Sequence, residues 1–180
     1  MKEYNLYGKL RDTKTKGELN ELRNQGFVPG NVYGTGETIG FYCFISDLHD
    51  LLYTADVYKV NLKIDGKIYK TIMKEIQFHP LKDIPLHIDF LEVTEDRTIK
   101  ILFPIKFKGS PIGARQGGKV YKKIRMLHLK GKVKDMPNDL ELDITNLNLG
   151  DIIHVKDVSF KNITILDQDT ATIILRRHQP

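Results

Sequence analysis

One segment leaves the chain little choice of fold. Tyr58, Val60, Leu62 and Ile64 alternate with Lys59, Asn61 and Lys63, Asp65-Gly66 follows, and Lys67 to Met73 continues the alternation. A period of two places the apolar side chains on one face of a strand. A two-residue turn between such runs needs positive φ, which Asp-Gly supplies. The result is an antiparallel hairpin with one apolar face, and that face must be covered by more sheet. The same pattern recurs. Tyr4 to Arg11, Ile39 to Ile45 and Leu86 to Leu91 read as strands, and the second hairpin strand runs on to Phe78, stopping at His79-Pro80. Glu18 to Gln25 reads as a short helix with Leu19 and Leu22 on one face and Gly26 as its left-handed terminator. Pro29-Gly30 reads as a turn before a short strand, Asn31 to Tyr33. Ser46 is placed to cap a second short helix whose Leu48, Leu51 and Leu52 face inward. Several antiparallel strands with two short helices predict a small β-barrel closing near Leu91.

Residues 92–98 are polar and mark a boundary, giving an expected barrel domain over 1–93 and a second domain over 94–180. The second half is also predominantly β. Ile99 to Phe107, Ile124 to Val133, Leu140 to Ile144, Ile152 to Val155, Ile163 to Leu166 and Thr172 to Leu175 read as strands, and Gly109 to Gly118 as a glycine-rich loop. The predicted fold class is therefore mainly β with short helices, an N-terminal barrel followed by a β-rich C-terminal domain. At 180 residues, each half is long enough to bury a core.

Composition narrows the function. No apolar run approaches the roughly 20 residues of a membrane-spanning helix, and the N-terminal residues lack the apolar stretch of a secretory signal. A cytoplasmic location without membrane partners is expected. The single Cys43 excludes an internal disulfide and any multi-cysteine zinc site, and no cofactor or metal is expected. The net charge of +5 lies wholly in the second half, with 12 basic and 12 acidic residues up to Phe90 but 16 and 11 beyond it. Between Asp96 and Asp135 there is no acid, while twelve residues, from Arg97 to Lys134, are basic. Such a one-signed stretch attracts polyanions or forms a solvated basic surface.

Five features carry candidate chemistry. His87 and Asp89 are two apart on a strand and so share a face, with Leu86, Ile88 and Phe90 directed inward. That pair reads as an ordinary surface pair, a polar reader of RNA edges, or part of an enzyme or metal site. Gln77 and His79 supply an amide and an imidazole rather than a nucleophile, a set better suited to hydrogen bonding than to bond breaking. Gly113 to Lys119 fits the start of a phosphate-binding loop, but Val120 replaces the required Ser or Thr and strand rather than helix follows, so only a basic loop remains. Lys14 and Lys16 precede a helix and could seat a phosphate, although Glu18 sits in the first turn. Tyr33 beside Gly34 is either a stacking ring or half-buried core. Cys43, inside an apolar strand, reads as an inert thiol.

Leu22 to Gly34, with its Leu-Arg, Val-Pro-Gly and Val-Tyr-Gly elements, together with Ile76-Gln77-Phe78-His79-Pro80 and Leu86-His87-Ile88-Asp89-Phe90, resembles the bacterial large-subunit ribosomal protein family numbered 25. The remainder is similar to the extra domain of that family's long form, the general stress protein Ctc type, through Phe103-Pro104-Ile105, Gly117-Gly118 and the Asp143-Ile144 region. The resemblance implies a six-stranded barrel that binds 5S ribosomal RNA within the large subunit. It implies that Arg11, Lys14 and Lys16 approach phosphates and that Asn20, Tyr33, Gln77, His79, His87 and Asp89 lie at the face meeting a widened minor groove. Arg115, Lys119, Lys122, Lys123 and Arg125 are expected to form a secondary basic surface toward neighbouring 23S rRNA or ribosomal proteins. One departure stands out. The family carries arginines on the first helix where this chain has Asn20 and Glu21, which predicts weaker RNA binding by the first half. A stress-induced RNA-binding paralogue only partly associated with ribosomes is the alternative function, and a hydrolase built on His87 and Asp89 a more distant one.

Overall fold

The computed structural model describes residues 1–12, 15–34, 36–54, 56–155 and 162–167, and the backbone of 171–177. The chain divides into two compact units, Met1–Glu95 and Asp96–Pro180.

In the first unit, β1 (Lys2–Leu10) leads to α1 (Lys16–Asn24), then β2 (Phe27–Tyr33), β3 (Ile39–Phe44), a 3₁₀ turn (Ser46–Leu48), α2 (His49–Leu52), β4 (Tyr58–Ile64), β5 (Lys67–Phe78) and β6 (Pro85–Glu92). The strands form a closed barrel in the order β1-β3-β2-β6-β5-β4. Parallel pairing of β1 with β4, from Lys2 opposite Tyr58 to Gly8 opposite Ile64, completes the ring. Closure removes every free sheet edge, so a barrel this small needs no edge protection. The β4–β5 hairpin is as the sequence predicts. Asp65 and Gly66 have φ of 44° and 87°, as a turn with two positive-φ residues demands.

Alternation fills the interior. Leu6, Phe41, Leu48, Val60, Leu62, Ile88 and Phe90 are wholly buried. The one buried polar side chain on the described core surface, Thr71, donates its hydroxyl to the Val60 carbonyl at 3.0 Å, which removes the penalty of an orphaned hydroxyl. Cys43 is buried, and burial pushes its thiol up to about 12, so it stays protonated and inert.

Two local readings are corrected. Pro29-Gly30 is not a turn but lies inside β2, which starts at Phe27. Proline survives there because the β2–β6 ladder begins only at Gly30. Gly30 is required by packing. A Cβ there would stand 2.6 Å from the Ile88 carbonyl oxygen and 2.8 Å from the Phe41 ring, and at Gly8 it would stand 2.9 Å from the other side of the same ring. Phe41 thus lies between two glycines. Ser46 does not cap a helix from outside. It begins the 3₁₀ turn, and its hydroxyl lies 3.3 Å from an Asp47 carboxylate oxygen.

In the second unit, β7 (Thr98–Lys108), α3 (Ile112–Arg115), β8 (Gly118–Lys122), β9 (Met126–Lys132), β10 (Leu140–Asp143), β11 (Ile152–His154), β12 (Ile163–Ile165) and β13 (Ala171–Arg177) make two sheets, ordered β10-β7-β9-β12 and β11-β13-β8. Phe103, Leu127, Leu129, Leu140 and Val155 are its buried residues of lowest exposure. The expected loop over 109–118 contains α3. The stretch read as a single strand from Ile124 is preceded by a separate strand, β8, which pairs with β13 and not with β9.

Candidate nucleic-acid interface

The barrel's ladders bring one row of residues across four strands, starting from Arg11 just past the end of β1. Arg11 donates its backbone N–H to the Gly40 carbonyl at 2.9 Å. Gly40 pairs with Asn31, Asn31 with Asp89, and Asp89 with Glu75. His87, two residues from Asp89, pairs with Gln77. Since Val32, Ile88 and Phe90 point inward, alternation turns Asn31, Tyr33, Glu75, Gln77, His87 and Asp89 to the outer wall.

Side-chain contacts run along this row. Arg11 Nη2 donates to Asn31 Oδ1 at 3.0 Å, and Asn31 Nδ2 lies 3.3 Å from His87 Nε2. A guanidinium can only donate, so it fixes which end of the amide faces it and leaves the NH₂ for His87. His87 Nε2 is then the acceptor, the proton sits on Nδ1, and Nδ1 faces Asp89 Oδ1 at 3.5 Å. Gly40 permits this chain. A Cβ at that position would stand 3.1 Å from Arg11 Nη2 and 3.2 Å from Nε. Arg11 Nε is buried and has no acceptor among the described residues. Arg23, on α1, donates Nε to the Leu86 carbonyl at 3.1 Å and Nη1 to Asn20 Oδ1 at 3.2 Å, pinning the helix to the start of β6.

Electrostatics follow from this placement. Desolvation is the main cause of a lowered His87 pKa. Arg11 and Arg23 push the same way, and Asp89 and Glu75 push against it. Tyr33 is raised, first by burial and then by the Asp89 and Glu75 charges. The fold thus favours neutral His87. A histidine whose folded pKa is depressed adds stability that is full above its ordinary value near 6.5 and is lost as pH falls below it. His87→Gln should therefore flatten the decline of the thermal midpoint as pH falls below about 6.5. Equal declines in wild type and variant, followed by calorimetry, would contradict a neutral imidazole in the wall. The lowered pKa values of Asp96, Asp143 and Asp167, due first to hydrogen bonds from Lys134, Thr145 and His128 respectively, act only at more acid pH.

The structure brings Tyr33, Gln77, His87 and Asp89 onto one wall, with Arg11 half-buried at its end. His79 is used locally. Its Nδ1 accepts the Leu81 N–H at 3.2 Å inside the 79–84 turn. Asn20 is exposed but holds Arg23. Lys16 is exposed at the first position of α1, where Glu18 accepts the Thr15 N–H at 3.4 Å; Lys14 lies outside the described residues. Arg115, Lys119, Lys122, Lys123 and Arg125 are exposed on α3, β8 and the link to β9. Sequence reasoning missed Asn31, Glu75 and Arg23. Asn31 lies two residues before Tyr33 in the strand read from the sequence, so alternation alone places it on the same face. Among the described residues no group of three or more His, Cys, Asp or Glu could hold a metal ion, and no helix is long and apolar enough to cross a membrane. His87 Nε2, the nitrogen a hydrolase would use as base, is occupied by Asn31.

Both halves of the chain are similar to known proteins. Residues 6–90 match the model of the ribosomal L25p family, and residues 98–178 match that of the ribosomal protein TL5 C-terminal domain. The large ribosomal subunit protein bL25 of Azobacteroides pseudotrichonymphae is 39% identical over 98% of this chain and 96% of its own length. The protein of the same name from Amoebophilus asiaticus is 38% identical over 92% of this chain and 85% of its own. The one from Porphyromonas gingivalis is 32% identical over 96% and 91%. With both domain models in order and relatives aligned over most of their length, the chain belongs to the ribosomal L25p family.

Proposed function

We propose that the chain is a non-catalytic component of the large ribosomal subunit whose barrel wall around His87 and Asp89 binds 5S rRNA. The observation that carries this reading is the contact chain Arg11–Asn31–His87–Asp89 laid across paired strands. RNA helices are recognised through shape, 2′-hydroxyls and minor-groove edges, which calls for short donors and acceptors on a surface that does not rearrange. Amide, imidazole, carboxylate and phenol groups on a closed barrel meet that need. A carboxylate beside a polyanion is tolerable when it accepts a hydrogen bond from a base amine or ribose hydroxyl.

Helix α1 gives the test. Glu21 is exposed, and Arg23, which could have met a phosphate, is committed to Leu86 and Asn20. Glu21→Arg removes a repelling charge and adds a phosphate contact. It should tighten binding of the full chain to 5S rRNA and steepen the log–log salt slope by about 0.9 unit. An unchanged slope would take the helix away from the RNA, and no binding by either protein would defeat the 5S assignment. The paralogue alternative differs in the cell, where only a fraction of the protein would sediment with large subunits.

A further inference from the structure

The acid-free stretch between Asp96 and Asp135 is electrically divided by the fold. Its lysines near the ends of β7 and β9 are matched by acids that lie outside the stretch. Lys106 pairs with Asp139, Lys108 with Glu141, and Lys132 and Lys134 with Asp96. The middle is different. Arg115, Lys119, Lys122, Lys123 and Arg125 are all exposed, and among the described residues none has an acidic partner. α3 packs beside β8, where a Cβ on Gly118 would stand 2.6 Å from the Gly113 carbonyl oxygen, so Arg115 joins the four cations that follow it.

We propose that this arm, α3, β8 and the link to β9, is a second RNA-backbone-binding surface, separate from the barrel wall. Three observations support it. The first is order. Lys122 Nζ lies 4.7 Å from the Phe107 ring centroid and Lys119 Nζ 6.0 Å from that of Tyr121. Aromatic faces hold the ammonium groups near the surface without neutralising them. The second is the strand's position. Among the described residues β8 is an outer strand of its sheet and pairs with β13, so it carries its cations at the margin of the sheet, where an RNA backbone can approach them. The third is composition. The centres of protein interfaces are depleted in lysine and enriched in contiguous apolar area. Here the cations predominate, and Ile112 and Tyr121 are the exposed large apolar side chains of the arm, with Met126 at the start of β9 beside it. A lysine on an edge strand also discourages strand-to-strand aggregation. That role accounts for Lys119 or Lys122 but not for Arg115, Lys123 and Arg125, which lie outside the strand.

The test uses the full chain and a fully paired RNA duplex of about 20 base pairs, which spans a double-strand binding footprint but offers no distorted groove to the barrel. The five-fold glutamine variant (R115Q, K119Q, K122Q, K123Q, R125Q) should flatten the salt slope by about three units or more, at about 0.9 unit per lost phosphate contact. K123Q and R125Q alone should each remove about one unit, which keeps the test available if the five-fold variant folds poorly. The triple K119R, K122R, K123R should keep the wild-type slope. H87A should leave the slope on this duplex unchanged while weakening 5S rRNA binding, so the two surfaces fail separately. Slopes unaltered by the glutamine variants would overturn the proposal. So would displacement of the duplex by polyglutamate at equal charge, which would make the arm a docking site for an acidic protein.

Discussion

Asp89→Ala is expected to weaken binding of the full chain to 5S rRNA roughly tenfold to a hundredfold, about 1–3 kcal/mol, the range for losing directed polar contacts to a base. The sign is the informative part. Removing a negative charge from a surface that meets a polyanion strengthens binding by simple electrostatics, by about 1 kcal/mol at 4 Å in water and less in salt. A carboxylate that merely tolerates the RNA would show that tightening. One that accepts a hydrogen bond from RNA and faces His87 Nδ1 at 3.5 Å would show the opposite. Asp89→Asn keeps the shape and one acceptor and removes the charge, so its loss should be smaller. Glu75, directly across the ladder from Asp89, provides a contrast. If it is a bystander, Glu75→Gln tightens binding while Asp89→Ala weakens it. Filter binding at two salt concentrations separates these cases.

The second large effect concerns the scaffold. Phe41→Ala should cost about 3–5 kcal/mol of barrel stability, the range for removing a buried phenylalanine. For a unit of this size, each kcal/mol moves the midpoint by about 4–8 °C, so the barrel should melt at least about 12 °C lower. Phe41 is wholly buried, its ring centroid lies 5.9 Å from that of Phe90, and it is flanked by Gly8 and Gly30. The glycines leave no side chain able to move into the vacated space. Gly30→Ala perturbs the same place from the other side. The nearest obstacle is the Ile88 carbonyl oxygen at 2.6 Å, a backbone atom of the strand that carries His87 and Asp89. That variant should cost about 1–3 kcal/mol and should also loosen RNA binding, because β6 must shift. Urea unfolding of the full chain measures both. A loss under about 1 kcal/mol for Phe41→Ala would show that the ring is not held between the two glycines.

Much of this architecture is written in period two. The β4–β5 hairpin was legible because alternation and Asp65-Gly66 make the same demand independently. The His87–Asp89 face was legible because both residues sit on a strand whose intervening residues, Ile88 and Phe90, are strongly apolar. Pro29-Gly30 misled because the dipeptide is a turn signal when read locally. Its glycine is used instead for a close approach between Phe41 and Ile88, and only the three-dimensional neighbours reveal that. Asn31 was read as strand, but its link between Arg11 and His87 was hidden until those strands met. Arg23 was hidden for a related reason. On a helix it reads as a solvated cation, and its partner Leu86 becomes visible only when α1 lies against the barrel. In the second unit the separation of β8 from β9 had no turn signal of its own, since Lys123 to Arg125 holds neither glycine nor proline.

Site-specific photocrosslinking within assembled large subunits tests the barrel assignment most directly. One photoreactive side chain would replace exposed Gln77, beside His87 on the β5–β6 wall. Another would replace Lys63, exposed on β4 near the β4–β5 turn, where it pairs with Ile68 at the far end of β5 from Gln77. If the wall around His87 meets the RNA, position 77 crosslinks to 5S rRNA and position 63 does not. Crosslinks to 5S rRNA from position 63 alone, or from neither position in subunits that contain the protein, would place the RNA elsewhere and contradict the assignment.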